Sequence, residues 1–107
     1  MDKLEKFNYI NQLLETYGSL LTESQHKIMD QYYCFNLSLS EIAENNDVSR
    51  TAVSDCLKKS ISKLQEFEEK LNLISLKAKI LEQIETIKKA STLVNIEKLE
   101  RMIKDGI

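Results

Sequence analysis

The sequence is poor in the residues that make tight turns. It has no proline and only two glycines, Gly18 and Gly106. Because sheet proteins of this size use Gly and Pro at their many turns, the composition argues against a β-sandwich or a β-barrel. Two widely separated glycines also exclude a glycine-rich phosphate-binding loop. An all-α fold is the expectation that remains.

Cysteine, histidine and long apolar runs are equally scarce. Cys34 and Cys56 lie far apart, and His26 is the single histidine. With no C-x-x-C pair and no cluster of metal ligands, we expect two reduced thiols, no metal and no cofactor. The charged start of the chain and the lack of an apolar run of about 18 residues predict neither a secretion signal nor a membrane span. The expected location is the cytoplasm.

No group of residues in the sequence is suited to catalysis. The acidic residues stand among lysines at helical spacing, as Glu85 does four residues before Lys89. Such pairs are usual ion-pair partners on a helix surface, and no Ser/His/Asp set accompanies them. We therefore expect a protein that is not an enzyme and has no small-molecule substrate.

The charge is unevenly distributed, although the whole chain carries only −2. Residues 36–48 contain three acidic residues and no basic one, which gives −3. Residues 49–64 contain four cations against Asp55 alone, which gives +3. A nucleic-acid site in such a chain would be a local basic face. The four cations are Arg50, Lys58, Lys59 and Lys63.

The spacing of apolar residues predicts two helices in the first third of the chain. The first covers residues 3–17, with its stripe at Leu4, Phe7, Ile10, Leu13, Leu14 and Tyr17, and ends at Gly18 in a left-handed conformation. Thr22 and Gln25 form the pattern of a capping box that opens the second helix. That helix carries Ile28, Met29, Tyr32, Tyr33 and Phe35.

Tyr32 and Tyr33 are adjacent aromatic residues that raise the question of base stacking. A stacking platform needs rings exposed on a cationic groove. Because their own helix is acidic, we expect these rings to serve packing in the core and at its rim.

Two helices of unequal length come next and form a helix-turn-helix at residues 39–59. Ser40 is the predicted N-cap of the short helix, and Ser49 is that of a longer helix reaching about residue 71. The polar run 45–47 breaks the first helix, and Asp47 occupies a turn where Gly is common. Ala43 is small enough for a close crossing, and Val48 should lie beneath the pair. The predicted core of the motif is Ile42, Ala43, Val48, Val53, Cys56 and Leu57.

The second helix of such a motif lies in the DNA major groove with its first residues against base edges. Arg50 is suited to guanine, Thr51 to a thymine methyl group and Asp55 to cytosine. The predicted DNA-binding residues are Ser49, Arg50, Thr51, Ser54, Asp55, Lys58, Lys59 and Lys63. Two plainer interpretations stay open: the cations form an ordinary solvated face, or the motif serves only as a scaffold.

The last third, residues 72–107, has a different pattern from the helix-turn-helix domain at 1–71. Two apolar stripes flank a weak stretch at 90–92, which predicts a helical hairpin. The stripes contain more apolar residues than one hairpin face buries, so we expect a homodimer through this segment. Double-stranded DNA would then be bound weakly by each subunit and usefully by two, with half-sites about 34 Å apart. The stripes are Leu73, Leu76, Ile80, Ile84 and Ile87, and Leu93, Ile96, Leu99 and Ile103.

The motif also resembles known families. SLSEIAENNDVSRTAVSDCLKKSISKL is similar to the helix-turn-helix of region 4 in bacterial sigma factors, a similarity that covers residues 22 to about 64. Nearly the whole chain resembles the YlxM family of small bacterial proteins through LLTESQ, the pair Tyr32 and Tyr33, SLSEIAE, DVSRTAVSD and FEEKLNL, with weak matching after residue 75.

The YlxM resemblance implies a three- to four-helix, sigma region 4-like domain without a wing, in a DNA-binding or regulatory protein. Genes of that family typically neighbour those of the signal recognition particle GTPases, which implies a role in that pathway. The alternative is an adaptor that binds a protein or RNA component of the signal recognition particle. A sigma-like subunit of RNA polymerase is less favoured, because the chain has no second promoter-reading region.

Overall fold

The computed structural model describes residues 2–90 and 93–106, without the side chains of residues 93–95. All regular structure in these residues is helical, so the predicted all-α class is confirmed. The chain divides into two compact units, one containing α1 to α4 and the other α5 and α6. The helices are α1 (Lys3–Tyr17), α2 (Glu23–Tyr33), α3 (Leu39–Asn45), α4 (Arg50–Leu71), α5 (Leu73–Ala90) and α6 (Leu93–Gly106).

The first unit is built around α4, which packs against α1, α2 and α3. Each helix contributes side chains that are completely removed from solvent, and each of these large apolar groups stabilises the fold by roughly 1.5–3 kcal/mol. A hydrogen bond from Tyr17 Oη to Glu68 Oε1, 2.6 Å long, also joins α1 to α4. The fully buried residues include Leu13, Tyr17, Met29, Ile42, Val53 and Leu64.

The N-terminal half of α1 is less buried than its apolar stripe predicts. Leu4 is 68% exposed and Phe7 is 41% exposed, whereas Ile10 and the apolar residues after it are buried. The periodicity identifies the inner face of the helix, but it contains no information on how far the neighbouring helices extend along that face. The predicted helix is confirmed, but Leu4 at the start of its stripe is exposed.

Gly18 follows α1 but does not take the predicted left-handed conformation. Its φ is −55°, and it opens a short 3-10 turn, Gly18–Leu20. A Cβ atom at this position would lie 3.0 Å from Nε2 of His26 and 3.2 Å from Cδ1 of Leu14. Because Gly18 has no Cβ atom, the end of α1 can lie close to α2 at this position.

The caps of α2 and α3 show one confirmed prediction and one wrong one. The capping box of Thr22 and Gln25 is present at α2. The N-cap of α3 is Ser38 and not Ser40, because Ser38 has the extended backbone of a cap and closes a capping box with Glu41. Phe35, which was assigned to α2, follows its last residue and is 68% exposed.

The second unit is a hairpin of α5 and α6. A Cβ atom at Gly106, the last residue of α6, would lie 3.5 Å from Cδ1 of Leu76 near the start of α5, so the two helices run antiparallel, as predicted. The predicted turn at 90–92 starts at the end of α5, but Ser91 and Thr92 lie outside the described residues. No side chain of α5 is fully buried.

A search of the described residues finds no helix that combines the length and hydropathy needed to cross a bilayer.

Candidate nucleic-acid interface

The turn between α3 and α4 has the geometry of a helix-turn-helix. Asn46 is the C-cap of α3. Asp47 follows with φ 54°, a left-handed conformation at a position where many such turns have Gly. The N–H of Val48 donates to the carbonyl oxygen of Ala43 at 3.0 Å, which closes the turn. Asp tolerates the left-handed region better than most residues, and this explains why the turn forms without Gly.

A polar contact that sequence reasoning missed fixes this turn to α2. Nδ2 of Asn46 donates to Oε1 of Gln31 and to the carbonyl oxygen of Ile42, both at 2.7 Å. One half-buried amide therefore holds the end of α3 on α2. The only sequence signal was an Asn at a helix end, where this residue type commonly bonds nearby backbone.

Most of the expected motif core lies inside the first unit. Ile42 and Val53 are fully buried, and Ala43 and Leu57 are 7% exposed. Cys56 is half-buried. Ser60, which sequence reasoning did not assign, is fully buried one turn further along α4.

Val48 is 44% exposed, so its predicted position beneath the two helices is wrong. The backbone hydrogen bond from Val48 to Ala43 closes the turn on its own. The side chain is left at the surface beside the start of α4.

The first turn of α4 presents polar groups to solvent. Ser49 Oγ accepts a hydrogen bond from the backbone N–H of Ala52 at 3.0 Å and so caps the helix. Arg50 and Thr51 are exposed, and Ser54 is half-buried. Because Val53 and Leu57 anchor the opposite side of the helix, this first turn is held with its polar groups outward.

Asp55 and Lys59 lie on the outer face of α4 and contact each other. Lys59 Nζ is 3.0 Å from Asp55 Oδ2, and both side chains are more than half exposed. Such an exposed pair contributes little to stability. It does partly neutralise two residues to which the sequence assigned separate contacts with DNA.

The remaining cations do not share one side of α4. Lys58 is exposed and Lys63 is half-buried, and five helical residues separate them by about 140° around the axis. Among the residues that the structure describes, Arg50, Lys58 and Lys63 take part in no ion pair. The first half of α4 therefore carries uncompensated positive charge on two flanks.

Acidic groups border this positive region. Two hydrogen bonds from Ser38 lower the pKa of the Glu41 carboxyl group; the larger effect comes from the backbone N–H and the smaller from the hydroxyl group. The Glu41 carboxylate is therefore ionised at neutral pH. Glu44 is exposed on the same short helix, and Glu66 and Glu69 are exposed further along α4. The cationic surface is confined to the part of α4 that follows the turn.

Acidic, Cys and His side chains are the usual protein ligands of metal ions. In the described part of the chain, no three of them stand close enough to hold an ion.

The short capped α3, the closed turn and the long α4 define a helix-turn-helix protein. Residues 4–105 match the UPF0122 family, "Putative helix-turn-helix protein, YlxM / p13 like", and the chain belongs to this family.

Relatives from several bacteria are similar over most of the chain. A UPF0122 protein of Fusobacterium nucleatum is 40% identical over 96 residues, which cover 90% of this chain and 93% of the relative. One from Halalkalibacterium halodurans is 46% identical over 90 residues, 84% of this chain and 80% of the relative. One from Malacoplasma penetrans is 49% identical over 78 residues, 70% of this chain and 73% of the relative. The resemblance to the YlxM family is thus confirmed.

Proposed function

We propose that this protein is a non-enzymatic regulator that binds double-stranded DNA through the first half of α4. The observation that carries the proposal is the start of α4, where Arg50 and Thr51 are exposed directly after a closed helix-turn-helix turn. This is the part of a recognition helix that meets base edges in the major groove.

Each side chain has a role that follows from its position. Arg50 reads guanine, and Thr51 contacts a base or its methyl group. Lys58 and Lys63, on opposite flanks of α4, meet phosphates on the two sides of the groove. Ser49 and Ser54 border the same surface, and Asp55 accepts from cytosine only after it releases Lys59.

The small number of cations makes each subunit a weak binder. Duplex affinity comes mostly from phosphate contacts, and each contact changes the slope of log affinity against log salt by about 0.9. We therefore propose that two copies bind together as a homodimer through the hairpin of α5 and α6.

The test is a duplex-binding titration at low salt with an R50A/K58A variant. Loss of the guanine contact weakens binding by about 1–3 kcal/mol, and loss of the phosphate contact lowers the salt slope by about 1. The control is Lys70→Ala, which removes an exposed lysine from the distal part of α4. Equal affinity and slope in the double variant and the wild type would refute the proposal.

The second candidate function is an adaptor for a protein or RNA component of the signal recognition particle. It is favoured by the large apolar side chains exposed on the hairpin, namely Leu73, Leu81, Ile96 and Ile103, since such surfaces mark interfaces. A pull-down against the particle's GTPase and its RNA tests it. Binding to neither, together with a clear footprint on duplex DNA, would discard the adaptor.

A further inference from the structure

A groove runs across the first unit on a surface that the proposed duplex contact does not use. One end lies between α1 and α2 and is lined by Lys3, Lys6, Ile10 and Tyr33. The other end reaches the start of α3 and is lined by Asn36, Leu37, Ser38 and Glu41. Phe7 and Tyr32 line both ends, so we name the whole surface the aromatic groove.

Three rings in the groove support one another. The centroids of Phe7 and Tyr33 are 5.4 Å apart, and those of Tyr32 and Tyr33 are 4.9 Å apart with an edge-on geometry. Phe7 is nevertheless 41% exposed, and both tyrosines are only half-buried. The cluster thus holds ring surface in a fixed position while leaving part of it open to a ligand.

The positive charge beside the two tyrosines comes from α1, the helix that also carries Phe7. Lys3, Lys6 and Phe7 lie on one side of α1, whereas Glu5, two residues after Lys3, lies about 160° away from Lys3 around the axis. Neither lysine takes part in an ion pair among the described residues. The expectation that Tyr32 and Tyr33 have no cations nearby was based only on the charge of α2. The packing of α1 against α2 places Lys3 and Lys6 beside the two rings.

We propose that the aromatic groove binds a single-stranded nucleic acid segment. Rings beside cations are the combination that such ligands require, because bases stack on the rings while phosphates meet the cations. Phe7 and Tyr32 provide the stacking surface, and Lys3 and Lys6 meet the phosphates. This site goes beyond the duplex contact at α4 and uses none of its residues.

The polar end of the groove favours a nucleobase over an acidic peptide. Glu41 is exposed, and its Oε1 accepts from the backbone N–H of Ser38; a carboxylate has about four acceptor positions, so this one can also accept from a ligand. A base offers amino donors to such a carboxylate, whereas an acidic side chain would be repelled by it. Charge complementarity along the groove thus matches phosphates at one end and base edges at the other.

The test is a fluorescence-anisotropy titration of the full chain with labelled homopolymers of about eight nucleotides, as RNA and as DNA. We expect Phe7→Leu, which keeps an apolar group against Tyr33, to weaken binding about tenfold. A K3Q/K6Q variant should reduce the salt slope by about 1.4, since each single-strand phosphate contact contributes about 0.7. The control K27Q/K70Q removes the same charge from exposed positions outside the groove and should bind like the wild type.

Two further measurements separate this site from its alternatives. The R50A/K58A variant should keep its affinity for single strands, so the groove can fail or succeed independently of the duplex contact. K3Q/K6Q changes only exposed side chains, so it still tests the groove if the Phe7→Leu variant loses helical content. The proposal would be overturned if K3Q/K6Q bound single strands with the affinity and the salt slope of the wild type. It would also be overturned if the wild type bound a Tyr- and Glu-rich peptide as tightly as it binds a single-stranded nucleic acid.

Discussion

At the scale of single residues, the first unit depends on a few polar side chains with defined partners. Asn46 is the clearest example, because its one amide donates to both Gln31 and Ile42. A half-buried donor with two acceptors is sensitive to small chemical changes, since an acceptor placed there would face other acceptors. Its neighbour Asn45 is exposed and offers a matched control.

We expect Asn46→Asp to destabilise the protein by about 1–3 kcal/mol more than Asn45→Asp does. Both changes add a negative charge at the C-terminal end of α3, so the unfavourable interaction with the helix dipole is common to both. Only the change at Asn46 replaces a donor by a carboxylate that faces the carbonyl oxygen of Ile42. Urea unfolding followed by circular dichroism measures the difference, and equal losses in the two variants would contradict it.

Tyr17 provides a second test at this scale. Its ring is fully buried, and its hydroxyl group donates to Glu68 across the core. Tyr17→Phe keeps the ring but removes a hydrogen bond to a carboxylate, so we expect a loss of about 1.5–3 kcal/mol in the free energy of unfolding. Tyr9→Phe is the control, because Tyr9 is half-buried on the same helix. A change below 0.5 kcal/mol in Tyr17→Phe, about the noise of a surface substitution, would show that the bond contributes nothing.

At the scale of the elements, the presence and the approximate position of the helices could be predicted from the sequence, because they depend on local patterns. The stripe of α1, the capping box of Thr22 and the turn through Asp47 all involve residues within a few positions of one another. The N-cap of α3 was assigned wrongly because Ser38 and Ser40 were compared by residue type alone, although Ser38 and Glu41 have the same spacing as the capping box of Thr22 and Gln25. Only the Glu41 side chain, which reaches back to the Ser38 backbone, decides between them.

The capping box predicts a direct comparison of the two serines. Ser38→Ala should lower stability by about 1 kcal/mol, because the Ser38 hydroxyl group accepts from the N–H of Glu41. Ser40→Ala should have almost no effect, since Ser40 lies within the first turn of α3. Thermal unfolding of both variants measures this, and a larger loss at Ser40 would contradict the assigned cap.

The same box gives a pH dependence with a definite sign. Hydrogen bonds from Ser38 lower the pKa of Glu41 in the folded protein. The stabilisation is therefore fully present above the pKa of the unfolded state and is lost as the pH falls through the lower, folded value. The difference in stability between wild type and Glu41→Gln should shrink as the pH falls through the range where a glutamate carboxyl group takes up a proton, because the Gln side chain does not titrate. A difference that stays the same on acidification would show that the carboxylate takes no part.

The candidate sites show why tertiary contacts limit sequence reasoning. The pair of Asp55 and Lys59 in α4 is not such a contact, because the two residues stand four apart on one helix and their spacing alone predicts that they pair. The aromatic groove was missed because its two tyrosines lie on α2, whereas Phe7 and both lysines lie on α1. The charge of one helix is a poor guide to a surface that two helices build together.

At the scale of the whole molecule, the two units differ in burial, because no described side chain of the second unit is fully buried. Two helices alone leave apolar groups of α5 and α6 partly open, since each helix can cover only one side of the other. Leu81 is 53% exposed and Ile103 is 43% exposed. A second copy of the hairpin would remove this surface from water, as in a four-helix bundle.

We therefore expect the wild type to be a dimer in sedimentation equilibrium and an L81Q/I103Q variant to dissociate at least about tenfold more readily. Each substitution removes an apolar contact from both copies, and burial of such a side chain contributes roughly 1.5–3 kcal/mol. The control T86Q/A90Q adds the same amide groups at exposed positions of α5 that lie about 140° and 180° from Leu81 around the axis, and it should leave the dimer intact. Because all four positions are exposed or partly exposed in one chain, the helical content of the monomer should not change. A wild type that stays monomeric at high concentration would contradict the dimer, and the exposed apolar surface would then have to be covered by a different protein.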